Sequence, residues 1–249
     1  LAEAPSPDDL YVLYTGGTTG MPKGVLWRQH DIFVSAMGGR PFGSPDVYPS
    51  LDAIVDAATG GGKILATPPL MHGAAQWSTF NAFTMGNTVV LPAENTRLDP
   101  GDVWRTIDDE GVHIAQVVGD AFARPLLDEY ESGDYDGSSL FLLVNGGAAL
   151  NATLKERFLE LLPSAMVLDA VGSSETGAQM GHTSTKGAAS TGSFTPGPET
   201  TVVSEDLSRV LEPGSDEVGW LAQSSHVPLG YLGDAEKTAR TFPVIDGVR

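Results

Sequence analysis

The sequence contains no cysteine. That excludes disulfides, thiolate metal sites and a cysteine nucleophile. Basic residues are scarce: 14 Lys and Arg stand against 32 Asp and Glu, a net charge of −18. A chain this acidic is a poor candidate for nucleic acid or an anionic membrane surface. No apolar run approaches the roughly 18 residues of a spanning helix, and no signal-peptide pattern is seen. What is present is ample: 249 residues, 41% hydrophobic and 18% charged, enough for one large domain or two small ones. An anionic ligand would have to be held by local N–H groups, a few cations and a metal.

Such a place exists near the start, at Leu13-Tyr14-Thr15-Gly16-Gly17-Thr18-Thr19-Gly20-Met21-Pro22-Lys23-Gly24-Val25. The apolar run Tyr11 to Tyr14 reads as a buried strand that stops at a loop of Gly and Thr. Glycines bring bare backbone N–H groups close to an anion, hydroxyls add donors, and Lys23 adds a point charge. The spacing is not that of a P-loop, which places Gly, four residues, then Gly-Lys-Ser/Thr. Here Gly24 follows Lys23, so a P-loop NTPase is a weak reading.

Further along, periodicity predicts helices over Gln29 to Met37, Trp77 to Met85, Asp99 to Glu110, Asp120 to Glu131 and Leu150 to Leu162. Leu51 to Ala58 reads as one or two helical turns. Strands are predicted at Lys63 to Thr67, Thr88 to Leu91, His113 to Val118, Leu140 to Val144 and Met166 to Ala170. Apolar strands alternating with helices predict an α/β fold with a parallel sheet covered on both faces. Gly181 to Gly197 is rich in Gly, Ser and Thr. Thr200 to Val203, Val210-Leu211 and Val218 to Ala222 then read as short strands of a small antiparallel or barrel-like unit. The expected division is 1–180, an α/β part, and 181–249, a small mostly β part. Leu1 to Asp9 reads as a linker, and the absence of an initial Met suggests an excised fragment.

Loops after the C-terminal ends of parallel strands are where α/β sheets bind ligands. Four loops have unusual composition: the Thr/Gly loop; Pro68 to Gly73 with His72; Asn145-Gly146-Gly147-Ala148-Ala149; and Asp169-Ala170-Val171-Gly172-Ser173-Ser174-Glu175-Thr176-Gly177. Side chains as small as those of the third would let a flat ring lie against the backbone. Glu175 beside a phosphate loop suits Mg²⁺, which prefers oxygen and bridges to phosphates. Its alternative is a cap of a following helix, and a lone histidine such as His72 is more often structural than catalytic.

Taken together these loops resemble the adenylate-forming superfamily of acyl-CoA synthetases, luciferases and peptide-synthetase adenylation domains. A fifth match is Gly230-Tyr231-Leu232-Gly233-Asp234 with Thr238 and Phe242. Trp27-Arg28, Gly119-Asp120-Ala121 with Ala123 to Leu126, and Gly172 to Gly177 look like the actinobacterial fatty-acid-CoA ligase group, including a branch that acts on steroid side-chain acids. The resemblance implies a small-molecule carboxylate, ATP and CoA as substrates. It implies an acyl adenylate and pyrophosphate, then an acyl-CoA thioester and AMP. It assigns Thr15, Gly16, Gly17, Thr18, Thr19, Gly20 and Lys23 to the β- and γ-phosphates, with Lys23, Thr18 and Glu175 as the catalytic set. Glu175 holds Mg²⁺, Ser174 donates to the α-phosphate, and Ser173 belongs to the same motif. Gly146, Gly147 and Ala148 face adenine on one side, with Asp169, Ala170, Val171 and Gly172 on the other. Met71, His72 and Trp77 line an acyl tunnel.

Two positions depart from the family pattern. Val171 stands where an aromatic often stacks on adenine, and Ala149 follows Gly-Gly-Ala where Pro is common. The ribose-binding Asp and the catalytic Lys of the family's lid fall outside this sequence, so the chain alone is expected not to complete the reaction. The alternatives are an amino-acid-activating domain and a nucleotide-binding module without catalysis. The first needs an acid to pair the substrate ammonium, and Leu70 to Phe80 has none. The expected location is cytoplasmic; oligomeric state is left open.

Overall fold

The computed structural model describes residues 4–16, 21–41 and 43–249. The elements in chain order begin with β1 (Leu10–Thr15), β2 (Lys23–Arg28), α1 (Gln29–Ala36), α2 (Leu51–Ala57), β3 (Lys63–Leu65) and α3 (Gly73–Thr84). They continue with β4 (Thr88–Val90), α4 (Pro100–Glu110), β5 (Ile114–Val117), α5 (Gly119–Ser132), β6 (Leu142–Gly146) and α6 (Ala152–Leu161). The remainder are β7 (Met166–Ser173), β8 (Gly177–Ser184), β9 (Thr195–Pro196), β10 (Thr200–Ser204), β11 (Gly219–Gln223), β12 (Gly230–Tyr231) and α7 (Ala235–Thr241). Packing groups the chain into two compact units. One comprises residues 1–48, 172–179 and 196–249; the other comprises 49–171 and 180–195. This grouping follows contacts, whereas the 1–180 and 181–249 division follows sequence texture.

The second unit is the α/β part. Strands β4, β3, β5, β6 and β7 lie side by side in that order, all parallel. The sheet order continues through β8 and β9. Helix α4 shows why the sequence folds this way. Asp99 caps it by accepting from Asp102 N–H, and Gly111 ends it in the left-handed conformation at φ 61°. Between those signals Val103, Trp104 and Ile107 share one face and are buried. They join Val117, Leu126, Leu127, Leu143, Phe158 and Val167 in a contiguous core. Trp104 satisfies its indole by donating to the Leu126 carbonyl at 2.7 Å.

One charge pair sits inside this unit. Lys155 on α6 is fully buried and its ammonium donates to Asp169 on β7 and, at 2.7 Å, to the Ser190 carbonyl. Asp169 accepts a second bond from Asn145 Nδ2 at 2.9 Å. Two buried charges cost several kcal/mol to desolvate, and only complete pairing offsets that.

The first unit is mostly β. Strand β2 pairs antiparallel with β1 on one edge and with β12 on the other. Strands β10 and β11 form a separate antiparallel pair. Leu13, Val25, Trp27, Ile32, Val34, Val203 and Tyr231 are buried here.

Three expectations need correction. The run Tyr11 to Tyr14 is not a buried strand: Leu10, Val12 and Tyr14 are exposed and only Leu13 is buried. Its apolar residues alternate across an edge strand, so half of them face outward. Second, the Thr/Gly loop does not follow a parallel strand. It joins β1 to β2, which the sequence reading did not see as a strand. Third, Glu175 caps no helix, because strand β8 begins at Gly177 and runs to Ser184, into the stretch rich in Gly, Ser and Thr.

Replacing Lys155 by Met leaves the Asp169 carboxylate buried without its cation. The expected loss is about 3–5 kcal/mol of unfolding free energy, read by urea denaturation. A loss below about 1 kcal/mol, the scale of an exposed pair, would contradict the account.

Candidate functional site

The first unit brings Lys23 and Glu175, 152 positions apart in the sequence, into one hydrogen-bonded and charged neighbourhood. Lys23 opens β2 opposite Thr15, the last residue of β1. Gly17, Thr18, Thr19 and Gly20 lie outside the described residues, while Thr15 is half-buried and Gly16 exposed. Behind Lys23, Gly24 is buried between Val12 and Leu232. A Cβ there would come within 3.1 Å of the Val12 side chain and 3.3 Å of the Leu232 Cβ. Leu232 N–H donates to the Gly24 carbonyl at 2.8 Å. Thus β12 lies tight against the strand that carries the Lys.

Tyr231 is the connecting residue. Its hydroxyl donates to Glu175 Oε1 at 2.8 Å. Its backbone N–H donates to Thr238 Oγ1 at 2.9 Å, which fixes β12 to α7. Gly230, at φ 141°, has no room for a side chain: a Cβ would meet the Thr238 methyl at 2.3 Å. Lys237 lies over the Tyr231 ring, its ammonium 4.6 Å from the centroid. Asp234 caps α7 by accepting from Lys237 N–H.

Glu175 sits in a turn pinned from two sides. Glu175 N–H donates to Ser173 Oγ at 3.2 Å and Ser173 N–H to Thr176 Oγ1 at 3.1 Å. The fully buried Trp27 donates its indole N–H to the Ser174 carbonyl at 2.9 Å. Gly172 and Gly177 are required by crowding. A Cβ on Gly172 would meet the Gly177 carbonyl oxygen at 2.2 Å, and one on Gly177 would meet Ser35 Oγ at 2.0 Å.

The local electrostatics follow from these contacts. Burial pushes the Tyr231 phenol up to about 12, and the hydrogen bond to the Glu175 carboxylate adds to the shift. Lys23, as neighbour, holds the Lys237 ammonium below its usual value, with Glu175 and Asp234 acting the other way. An open concavity of about 450 Å³ is lined by Tyr14, Met21, Pro22, Lys23, Gly24, Tyr231, Leu232 and Asp234. Two ammoniums beside two carboxylates can bind an anion and a cation together.

The second unit places its candidates at the C-terminal ends of parallel strands. Gly146 ends β6 and is buried; Gly147, Ala148 and Ala149 are exposed. Gly147 adopts φ 82°, which favours glycine. Asn145 braces this turn. Its Oδ1 accepts from Gly119 N–H at 2.7 Å, and its Nδ2 donates to the Ala148 carbonyl at 3.1 Å and to Asp169. The Asp169 carboxylate therefore points into the fold, while Ala170 and Val171 are half-buried. Met71 and His72 are exposed, with His72 at the N-terminus of α3. Trp77, one turn on, has its indole N–H buried with no partner among the described residues.

Sequence reasoning missed three contributors. Tyr231 was quoted within a motif but given no contact. Lys237 was not singled out. Asn145 was seen only as the residue before two glycines. A polar residue closing an apolar strand was the available signal for Asn145; for the other two there was none short of the fold.

Comparison with known proteins adds to this geometry. Residues 1–232 match the sequence model described as AMP-binding enzyme. The chain is 60% identical to the medium-chain acyl-CoA ligase Mig of Mycobacterium avium, covering 98% of this chain and 44% of that protein. It is 43% identical to a medium/long-chain-fatty-acid and 3-oxocholest-4-en-26-oate CoA ligase of Mycolicibacterium smegmatis, covering 98% and 45% respectively. The chain thus spans less than half the length of these relatives. The N-terminal domain of FACL13 from Mycobacterium tuberculosis shares the fold, with TM-score 0.73 at 21% identity, covering 100% of this chain and 57% of that one. A nonribosomal peptide synthetase structure aligns at TM-score 0.76 and 25% identity, over 99% of this chain and 25% of the other. Among the described residues no helix is long and apolar enough to cross a membrane.

The raised phenol gives a test. A tyrosine usually ionises near 10.0 and this one near 12. The hydrogen-bonded neutral form contributes its full stabilisation below pH 10 and loses it as the pH rises to about 12. In a spectrophotometric titration Tyr231 is expected among the last tyrosines to ionise, and Tyr231→Phe should remove that late step. A titration unchanged by the substitution would refute the contact.

Proposed function

The chain belongs to the AMP-binding enzyme family, and from that premise we propose that the protein activates a carboxylic acid with ATP and passes the acyl group to CoA. A carboxylate oxygen attacks the α-phosphorus, the α–β anhydride bond breaks, and pyrophosphate leaves. The CoA sulfur, having lost its proton, then attacks the acyl carbon of the adenylate, and AMP leaves. Attack between two anions needs charge cancellation and alignment more than a covalent nucleophile. The observation that carries the reading is Lys23, on a concavity whose Tyr231 wall holds Glu175, with Lys237 as its neighbour.

In this reading Lys23, with Thr15, Gly16, Gly17, Thr18, Thr19 and Gly20, binds the β- and γ-phosphates. Glu175 is a half-buried carboxylate oriented by Tyr231, an oxygen donor that fits Mg²⁺. The ion, when bound, would neutralise charge on the phosphates. Ser173 and Ser174 offer hydroxyls from the same turn. In the second unit Gly147 and Ala148, exposed just after the buried Gly146, would offer adenine a surface of small side chains, with Asp169, Ala170 and Val171 on the adjacent strand β7. Met71, His72 and Trp77 would contact the acyl chain. Leu70 to Phe80 carries no acid to pair an ammonium, so a neutral tail is favoured over an amino acid. Medium-chain fatty acids and steroid side-chain acids are the substrate classes suggested by the relatives. Dependence on ATP and CoA suits a cytoplasmic location.

Calorimetry with ATP and Mg²⁺, and with a non-hydrolysable acyl-adenylate analogue, tests the reading on this chain. Lys23→Ala and Glu175→Gln should each weaken ATP binding about tenfold to a hundredfold, the scale of one lost charge-assisted contact. Carboxylate-dependent pyrophosphate exchange across an acid panel then names the substrate. No affinity for either nucleotide probe would overturn the proposal.

A further inference from the structure

Away from the concavity, the first unit gathers His30, Asp31 and His226. His30 and Asp31 are consecutive in the first turn of α1, and His226 lies four residues before β12. One ligand-capable atom from each residue lies within 4.8 Å of those of the other two. The two imidazole rings stand 5.7 Å apart, tilted by 57°. Among the described residues the His30 ring makes no hydrogen bond, so its lone pair has no protein partner.

His226 is oriented from behind. Its Nδ1 is 2.8 Å from Glu199 Oε1, and Glu199 is itself held by Arg40 at 2.6 Å. An imidazole that donates its Nδ1–H to a carboxylate carries its lone pair on Nε2. Metal-bound histidines are oriented by this kind of outer carboxylate. Asp31 pairs with Arg28 at 3.3 Å, but Arg28 also reaches Asp8 at 3.2 Å, so Asp31 is not its sole acceptor. The Asp31 charge also offsets the positive end of the α1 dipole, which would otherwise repel a cation.

We propose that His30, Asp31 and His226 form a three-ligand site for a zinc-class divalent ion. Glu199 is its positioning residue, and the ion braces the first turn of α1 against the segment that leads into β12. Two neutral imidazoles and one carboxylate suit a borderline cation such as Zn²⁺; Mg²⁺ takes oxygen and is a poor match. This site is separate in composition and residues from the Glu175 carboxylate proposed for Mg²⁺. Exposed His30 leaves the remaining coordination position to solvent, so micromolar rather than structural-zinc affinity is expected.

The test is titration of the metal-free protein with Zn²⁺ in the presence of excess Mg²⁺, with Co²⁺ as a spectroscopic probe. The expected result is one Zn²⁺ per chain, a rise in melting temperature on binding, and a visible Co²⁺ band of low-coordinate geometry. His30→Ala and His226→Ala should each weaken Zn²⁺ binding at least about tenfold, and Glu199→Gln about tenfold through the ring it orients. His182→Ala, whose ring bonds Ser190, should change nothing. His226→Ala also breaks the contact with Glu199, so folding is checked by circular dichroism. His30→Ala disturbs no hydrogen bond of its ring and decides the matter if the other variant misfolds. No saturable Zn²⁺ binding below about 100 μM, affinity unchanged by His30→Ala, or an equal loss with His182→Ala would overturn the proposal.

Discussion

The backbone pairing of β2 on both edges is the constraint on which the first unit depends. One edge takes β1, from just before the Thr/Gly loop. The other takes β12, from more than 200 residues further along the chain. Side chains of the same strand finish the work: Lys23 stands at its start, and buried Trp27 reaches the Ser174 carbonyl. A strand with both edges satisfied has little freedom to shift register, because a one-residue slip would turn Val25 and Trp27 outward. Lys23 and the Glu175 turn are thereby referred to the same six residues. The Tyr231–Glu175 bond closes the arrangement from the β12 side.

The second unit was legible because its signals are local. Asp99, the buried face of α4 and Gly111 lie within one helix and its caps, and each acts within a few residues. Strands β5, β6 and β7 each carry a mostly aliphatic stretch of the kind a parallel sheet between helices demands. The β1–β2 hairpin was misread for an equally physical reason. An apolar run, a Gly-rich loop and a Lys imply strand, loop, helix when the loop cradles phosphate in an open parallel sheet. Here Lys23 to Arg28 continues as a strand whose mixed burial gives no clean period. The hydrogen bond between Tyr231 and Glu175 spans 56 residues, and no pattern within either segment records it.

The same division between local and remote explains the candidate residues. Gly147 could be read from sequence because its left-handed backbone excludes most side chains. Asp169 could be read as a carboxylate at a strand end, but not as the partner of Lys155 and Asn145. Once those contacts are seen, Asp169 acts through where it holds β7 rather than through a free carboxylate. The Gly146–Ala149 turn gains its rigidity from the same Asn145, so a buried polar network sets the shape of an exposed, nearly featureless surface.

A chain with net charge −18 offers an anionic ligand no favourable long-range field, so attraction must come from a few cations at short range. Lys23 and Lys237 are two cations that the first unit holds close together. The Lys23 neighbour holds the Lys237 ammonium below its usual value. Glu175 and Asp234 relieve part of that shift, yet Glu175 is already bound by Tyr231 and Asp234 accepts from the α7 backbone. Neither carboxylate is arranged as a simple ion-pair partner for the two lysines. Folding alone gains little by placing two half-buried lysines together. A bound polyanion would gain from both, and a cation held by Glu175 would offset the anion's repulsion toward the carboxylates. The juxtaposition therefore makes physical sense as half of a complex, which is why the lysine pair, rather than the glycine-rich loop that first attracts the eye, is the stronger argument for a phosphate ligand.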